Sequence, residues 1–152
     1  MSTATASKKS TDQAVGLFPV SYRIGTNLPG APTFIVHFLV NTPQQHVSGL
    51  GEITQTTNPP LDIQTHLTGT YVKMAIPMPP NPEFFISVSA IGYAASVPPN
   101  STIVLPPNVQ LHMILTPDWQ KGHASYRYVD NKGQWHDVTN APVSIIHNPS
   151  TN

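Results

Sequence analysis

Apolar and polar residues alternate with a period of two along most of this chain, in short runs. Val20, Tyr22 and Ile24 alternate with Ser21, Arg23 and Gly25, the pattern of a strand with one face buried. Thr33 to Val40 sets Phe34, Val36, Phe38 and Val40 on one face and Ile35, His37 and Leu39 on the other. Both faces are largely apolar, which predicts a central strand and makes His37 a hydrogen-bonded core residue. His46 to Gln55 carries Gly49 and Gly51, which predict a bulge or a closely approaching neighbour. From Asp62 to Met74, Ile63, Thr65 and Leu67 alternate with Gln64, His66 and Thr68, with a kink expected at Gly69 and His66 on the polar face. The same period recurs in Phe84 to Ile91, in Val109 to Thr116 and in Ala124 to Tyr128. Trp135 to Val138 and Val143 to Ile146 read as two further strands, and Ile103 to Leu105 as a short edge strand.

Proline pairs punctuate these runs: Asn58-Pro59-Pro60, Pro79-Pro80-Asn81, Pro98-Pro99-Asn100 and Pro106-Pro107-Asn108. Neither ring has an N–H to donate, and the second holds the first in extended geometry, so each pair ends an element. Asp130-Asn131-Lys132-Gly133 is a strong hairpin turn with glycine placed for a bulge. Helix signals occur once: Thr116 as N-cap, Pro117 at N1, Asp118 in the first turn and Gly122 as a stop. They allow at most one helical turn, at Pro117 to Lys121. Short strands with regular turn signals predict an all-β fold, an antiparallel β-sandwich of eight to ten strands, with a β-barrel as the alternative. The sandwich is preferred because prolines suit the edges of open sheets. Residues 1–14 and 148–152 have little to bury and read as flexible tails around one β domain at 15–147.

Composition narrows the chemistry. The 152 residues include no cysteine, which excludes disulfides and thiolate sites. Seven Lys and Arg balance seven Asp and Glu, and charged residues make up only 9% of the chain. No basic stripe can be assembled, so nucleic acid is not an expected partner. A neutral, charge-poor surface does little to keep copies apart and points toward a homo-oligomer. Neither a secretory signal nor an apolar span of membrane length is present, so no membrane partner is expected and the default location is cytoplasmic; export by a signal-independent route would leave no mark.

Catalytic signatures are missing: no Gly-x-Ser-x-Gly, no His-Glu-x-x-His and no phosphate-binding loop. Asp118 and Asp137 are the one carboxylate pair worth testing for convergence, since both flank the aromatic segment. The seven histidines are spaced too widely for a metal motif, and neither a metal nor another cofactor is expected. Pro77 to Pro82 fits Pro-x-x-Pro but serves equally as a strand connection, and Asn100-Ser101-Thr102 matches a glycosylation acceptor only formally. The strongest candidate is aromatic. Trp119, Tyr126, Tyr128 and Trp135 are interleaved with His123, Arg127 and His136. Planar rings beside hydrogen-bonding groups suit a sugar or a protein hot spot; a satellite core would use the same residues.

Gly16-Leu17-Phe18-Pro19, Asn41-Thr42-Pro43, Asn58-Pro59-Pro60-Leu61, Pro106-Pro107-Asn108, Asp118-Trp119 and Tyr126-Arg127-Tyr128 together resemble a small bacterial family of unknown function, over about residues 16–138. The resemblance implies a bacterial all-β protein and transfers no activity and no site. The sequence is therefore read as a non-enzymatic binding or protein-interaction domain, its partner an unknown protein or a small neutral ligand such as a carbohydrate. The alternatives are a hydrolase or metal-dependent enzyme built from scattered His and Asp residues, and a structural subunit of a larger assembly.

Overall fold

Alternation of this kind buries one face of every strand, and eight strands share the task. The computed structural model describes residues 16–94 and 105–147. The strands are β1 (Leu17–Ile24), β2 (Thr33–Asn41), β3 (His46–Gln55), β4 (Leu61–Ile76), β5 (Glu83–Ala94), β6 (Val109–Leu115), β7 (Lys121–Val129) and β8 (Trp135–Ile145). Each pairs antiparallel with the next, and β8 returns to β1 through Tyr22↔Ile145, Arg23↔Ser144 and Ile24↔Val143. The all-β antiparallel expectation holds. The architecture is the barrel alternative, closed in the order β1 to β8, and not the preferred sandwich.

The reason lies in residues other than the prolines. Asn58-Pro59-Pro60 and Pro79-Pro80-Asn81 occupy connections, and Pro106-Pro107-Asn108 leads into β6, so none guards an open edge. Glycine permits close approach between neighbouring strands of the closed sheet. A Cβ at Gly49 would lie 1.8 Å from the His37 carbonyl oxygen, and one at Gly69 or Gly122 would lie 1.9 Å from that of Ser89 or Ile114. No side chain fits there, so β3, β4 and β7 pass the neighbouring strands more closely at these points than a residue with a Cβ would allow. The close neighbour expected at Gly49 is present, whereas the β2–β3 register runs without a bulge. Gly122 belongs to a strand and is not a helix stop.

An eight-stranded barrel has an interior just wide enough for side chains to fill. Tyr22 and Ile24 of β1, Phe34, Val36 and Val40 of β2, Val88 of β5 and Met113 of β6 are essentially inaccessible to water. Burying each large apolar side chain stabilises the fold by roughly 1.5–3 kcal/mol. Phe34 and Tyr126 meet across the barrel with ring centroids 4.9 Å apart. Only one face of β2 points inward. His37 stands on the outer face, exposed, with its Nδ1 2.7 Å from Ser21 Oγ, and is not a core residue.

Two predicted elements merge and one dissolves. Trp135–Val138 and Val143–Ile146 form the single strand β8, joined by a bulge that sets Thr139 and Asn140 against Ser125. Asn140 takes a φ of 56°, and its N–H donates to Ser125 Oγ at 3.0 Å. Residues 116–121 make a tight hairpin turn and no helix: Trp119 N–H donates to Thr116 O, and Trp119 has a φ of 65°, outside the right-handed helical region. Thr116 and Asp118 bond each other in that turn and do not cap a helix.

Asn108 acts as a clasp. Its side chain accepts from Thr65 Oγ1 at 2.8 Å and donates to Gln64 O, while its backbone bonds Gly92 O and Val129 N–H. It thereby ties β4, β5 and β7 together and satisfies Thr65, the one buried polar side chain among the described residues. β4 and β5 outrun their neighbours: β3 pairing stops at His46↔Thr70 and β6 pairing at Ile86↔Leu115, but β4–β5 continues to Ile76↔Glu83. Among the described residues no helix is long and apolar enough to cross a membrane. The tails 1–14 and 148–152, Pro98-Pro99-Asn100, Asn100-Ser101-Thr102 and the strand proposed at Ile103 to Leu105 fall outside the described residues, apart from Leu105, which is in no strand.

Candidate functional site

β7 runs the length of the barrel, and this separates the predicted aromatic cluster into two ends. Trp119 precedes β7 and plugs one end. It is 5% exposed, meets Phe18 and Tyr71 edge-on at 5.5 and 5.0 Å, and its carbonyl accepts a 2.8 Å hydrogen bond from the Tyr22 hydroxyl. Burial, with Asp118 acting in the same direction, raises the Tyr22 phenol far above the ordinary tyrosine range. Trp119 is therefore core and cannot join a ligand site with the hairpin. Tyr126 is buried mid-barrel. Its hydroxyl has no protein partner among the described residues, and burial followed by the proximity of Tyr128 raises its phenol strongly.

The other end is rimmed, among the described residues, by the β7–β8 hairpin and by residues 55–61, and is called the mouth. Val129 pairs with Trp135, and Asp130 N–H donates to Gln134 O at 2.9 Å. Gly133 takes a φ of 81°, which glycine adopts without strain. Asp130 organises the turn: Oδ1 accepts from the N–H groups of Lys132 and Gln134 at 2.8 and 3.0 Å, and Oδ2 lies 2.6 Å from His136 Nε2. The His136 bond first, and the Gln134 and Lys132 N–H groups after it, hold the Asp130 carboxyl down at about 2. His136 lies over Tyr128, with centroids 5.2 Å apart and planes 22° from parallel.

Alternation places the neighbours of these residues outside. Arg127 Nε donates to Asp137 Oδ1 at 2.7 Å, and its guanidinium carbon lies 4.9 Å from the centroid of the Trp135 ring, which is 40% exposed. His123 is also exposed, on the outer face between Ile114 and Pro142, well away from the mouth. Of the predicted set, the structure brings together Tyr128 and His136 at the mouth, Tyr128 as a buried core residue beneath the exposed His136 ring, with Arg127 and Trp135 on the adjoining outer wall.

Barrel closure supplies partners that the sequence reading missed. The 55–61 segment faces the hairpin across the mouth, and between them lies a cleft of about 370 Å³. Gln55, Thr57, Pro59, Pro60 and Leu61 line one side, and Tyr128, Asp130, Asn131, Lys132, Gln134 and His136 the other. A larger open groove of about 830 Å³ crosses the outer face of β4 to β8, with Thr68, Ser89, Gln110 and Arg127 among its walls. His112 presents its ring on this outer face, whereas Tyr126 points inward.

Asp118 and Asp137 do not converge: one lies in the turn beside Trp119, the other beside Arg127. Glu52 and Asp62 do approach each other, and the hydrogen bond and charge of Asp62 raise the Glu52 carboxyl. Both stand exposed on the outer face, where Glu52 lines a cleft of about 250 Å³ with Ile35, His37, Leu50 and Gln64. Among the described residues no three His, Asp or Glu side chains come close enough to share a metal ion.

Residues 15–135, most of the chain, match the family described as a domain of unknown function, DUF1842. The chain belongs to that family. No curated protein matches it.

Proposed function

We propose that this chain is a non-enzymatic binding protein that takes a small, neutral, polar ligand such as a carbohydrate at the mouth of its barrel, in the cleft between the β7–β8 hairpin and residues 55–61. The observation that carries this reading is the cleft itself, where the exposed His136 ring, stacked on buried Tyr128, and Leu61 stand near the amides of Gln55, Asn131 and Gln134. Small-ligand sites favour barrel mouths, with volumes of about 300–1,000 Å³, apolar or aromatic surface and a few placed hydrogen-bonding groups. Amide groups beside ring faces suit the alternating hydroxyl and C–H surfaces of a sugar.

The charged groups at the mouth favour binding over proton-transfer chemistry. Asp130 accepts two backbone N–H bonds and faces His136, and its carboxyl sits at about 2, far from the range useful to a general acid or base near neutrality. Beside the mouth, Arg127 and Asp137 neutralise each other.

Trp119→Phe leaves Trp135 as the lone fluorescent indole, beside the mouth. Titrating that variant with a panel of mono- and disaccharides is expected to give a saturable change in emission that is weakened at least tenfold in Gln134→Ala and His136→Ala. A flat response to the whole panel overturns the proposal.

A further inference from the structure

Past Thr70 on β4 and before Ile86 on β5, the barrel projects a two-stranded ribbon that pairs with no third strand among the described residues. Its outer face carries Val72, Met74 and Ile76, which are 47%, 45% and 43% exposed. Natural proteins guard a free strand edge with charges, proline or bulges. Here Lys73 is the one charge on β4 of the ribbon, and proline first appears at Pro77. The direction of the free hydrogen-bonding groups follows from the last bond on that side. Tyr71 N–H donates to Gln45 O at 3.1 Å, toward β3. Alternate residues of an antiparallel strand point their N–H and C=O the same way. Those of Lys73 and Ala75 therefore face the edge where β3 has ended.

We infer that this edge joins two copies of the chain, β4 to β4, antiparallel about a two-fold axis at Met74. Self-complementarity selects both the occupant and the register. An axis at Met74 sets Lys73 opposite the second copy's Ala75, and the reverse, so both residues of each copy exchange N–H···O=C bonds. An axis at Lys73 would oppose two like charges, which destabilises a strand pair. An axis at Ala75 would bring Pro77, which has no N–H, into the ladder. An axis at Val72 would require Tyr71, whose N–H is already bound. In the Met74 register, Val72 meets the second copy's Ile76, and the two Met74 side chains meet each other in a close, non-hydrogen-bonded pair. The seven positive and seven negative residues cancel, so two copies approach without net repulsion.

Light scattering on the full chain at micromolar concentration is expected to give twice the 16.5 kDa chain mass. Ala75→Pro removes an inter-copy donor without touching the β4–β5 ladder, and edge positions tolerate proline. It is expected to halve the measured mass while retaining the wild-type β circular dichroism. The chain has no cysteine, so single cysteines report the register cleanly. Met74→Cys is expected to form a covalent dimer on mild oxidation at least tenfold faster than Val72→Cys, whose counterpart lies four positions away along the strand. A monomer at all concentrations overturns the inference, whether or not an added apolar peptide binds the ribbon, because that assigns the edge to a different chain. A dimer that survives Ala75→Pro, or that cross-links equally from both positions, overturns it as well.

Discussion

The two ends of this barrel are built from opposite materials. At one, Trp119 folds over the interior against Phe18 and Tyr71, and the Tyr22 hydroxyl fastens its carbonyl. At the other, a turn organised by a carboxylate holds His136 over Tyr128 and leaves a cleft facing the 55–61 segment. The chain has two tryptophans, one enclosed and the other 40% exposed beside the mouth. The contrast teaches that a ring's place along a barrel strand, and the parity of its position, decide whether it serves stability or recognition.

Replacing the two indoles should give the widest separation between the ends. Trp119→Ala removes a buried aromatic and leaves a cavity, so chemical denaturation is expected to show a loss of roughly 3–5 kcal/mol. Trp135→Ala removes an exposed ring and its cation–π contact, with an expected loss below about 1 kcal/mol. Similar losses at both positions would erase the distinction.

Alkali should attack the closed end and the interior. Tyr22 and Tyr126 have phenols raised mainly by burial, and Tyr71 and Tyr128 are raised in the same direction. A raised acid keeps its proton in the folded state, so the stability it confers is complete below the unfolded value of 10.0 and is lost as pH climbs above it. Tyrosinate absorbance for these residues is expected to rise together with loss of β circular dichroism above pH 10, as one transition. Titration without unfolding would contradict their burial.

The two interior hydroxyls should answer mutation with opposite signs. Tyr22→Phe leaves the Trp119 carbonyl without its donor and is expected to cost about 0.5–1.5 kcal/mol. Tyr126→Phe removes a buried hydroxyl that has no protein partner among the described residues, so thermal unfolding is expected at the wild-type temperature or higher.

The smallest effect belongs to the mouth. Asp130 has a carboxyl lowered from 3.8 to about 2, first by His136. Its contribution is therefore present above the unfolded value and fades as pH falls through about 2. Asp130→Asn is expected to lower the unfolding midpoint slightly at pH 5 and to match the wild type once both are measured near pH 2. An equal difference at both pH values would show that the carboxylate charge is not responsible.

Much of the fold was legible because period-2 alternation is a local property. The inward positions from Val20 to Tyr128 follow it strand by strand, and the hairpin at 130–133 follows its turn residues. Closure was not legible, because it rests on β8 pairing with β1 across the whole chain and on glycines meeting carbonyls of other strands, and no local pattern reports where those partners lie. Trp119 was misplaced for a related reason. It is near Tyr128 in sequence, yet β7 carries the chain from one end of the barrel to the other between them. The 55–61 wall of the cleft comes from far along the chain and meets the hairpin only through the barrel's curvature.

The central claim is that the mouth, and not the Trp119 end, is the binding surface. Amide chemical-shift mapping of the full chain against the saccharide panel tests it most directly. The account predicts saturable shifts concentrated in residues 55–61 and 128–136, with residues 116–120 unmoved. No shifts with any sugar, or shifts centred on residues 116–120, would contradict it.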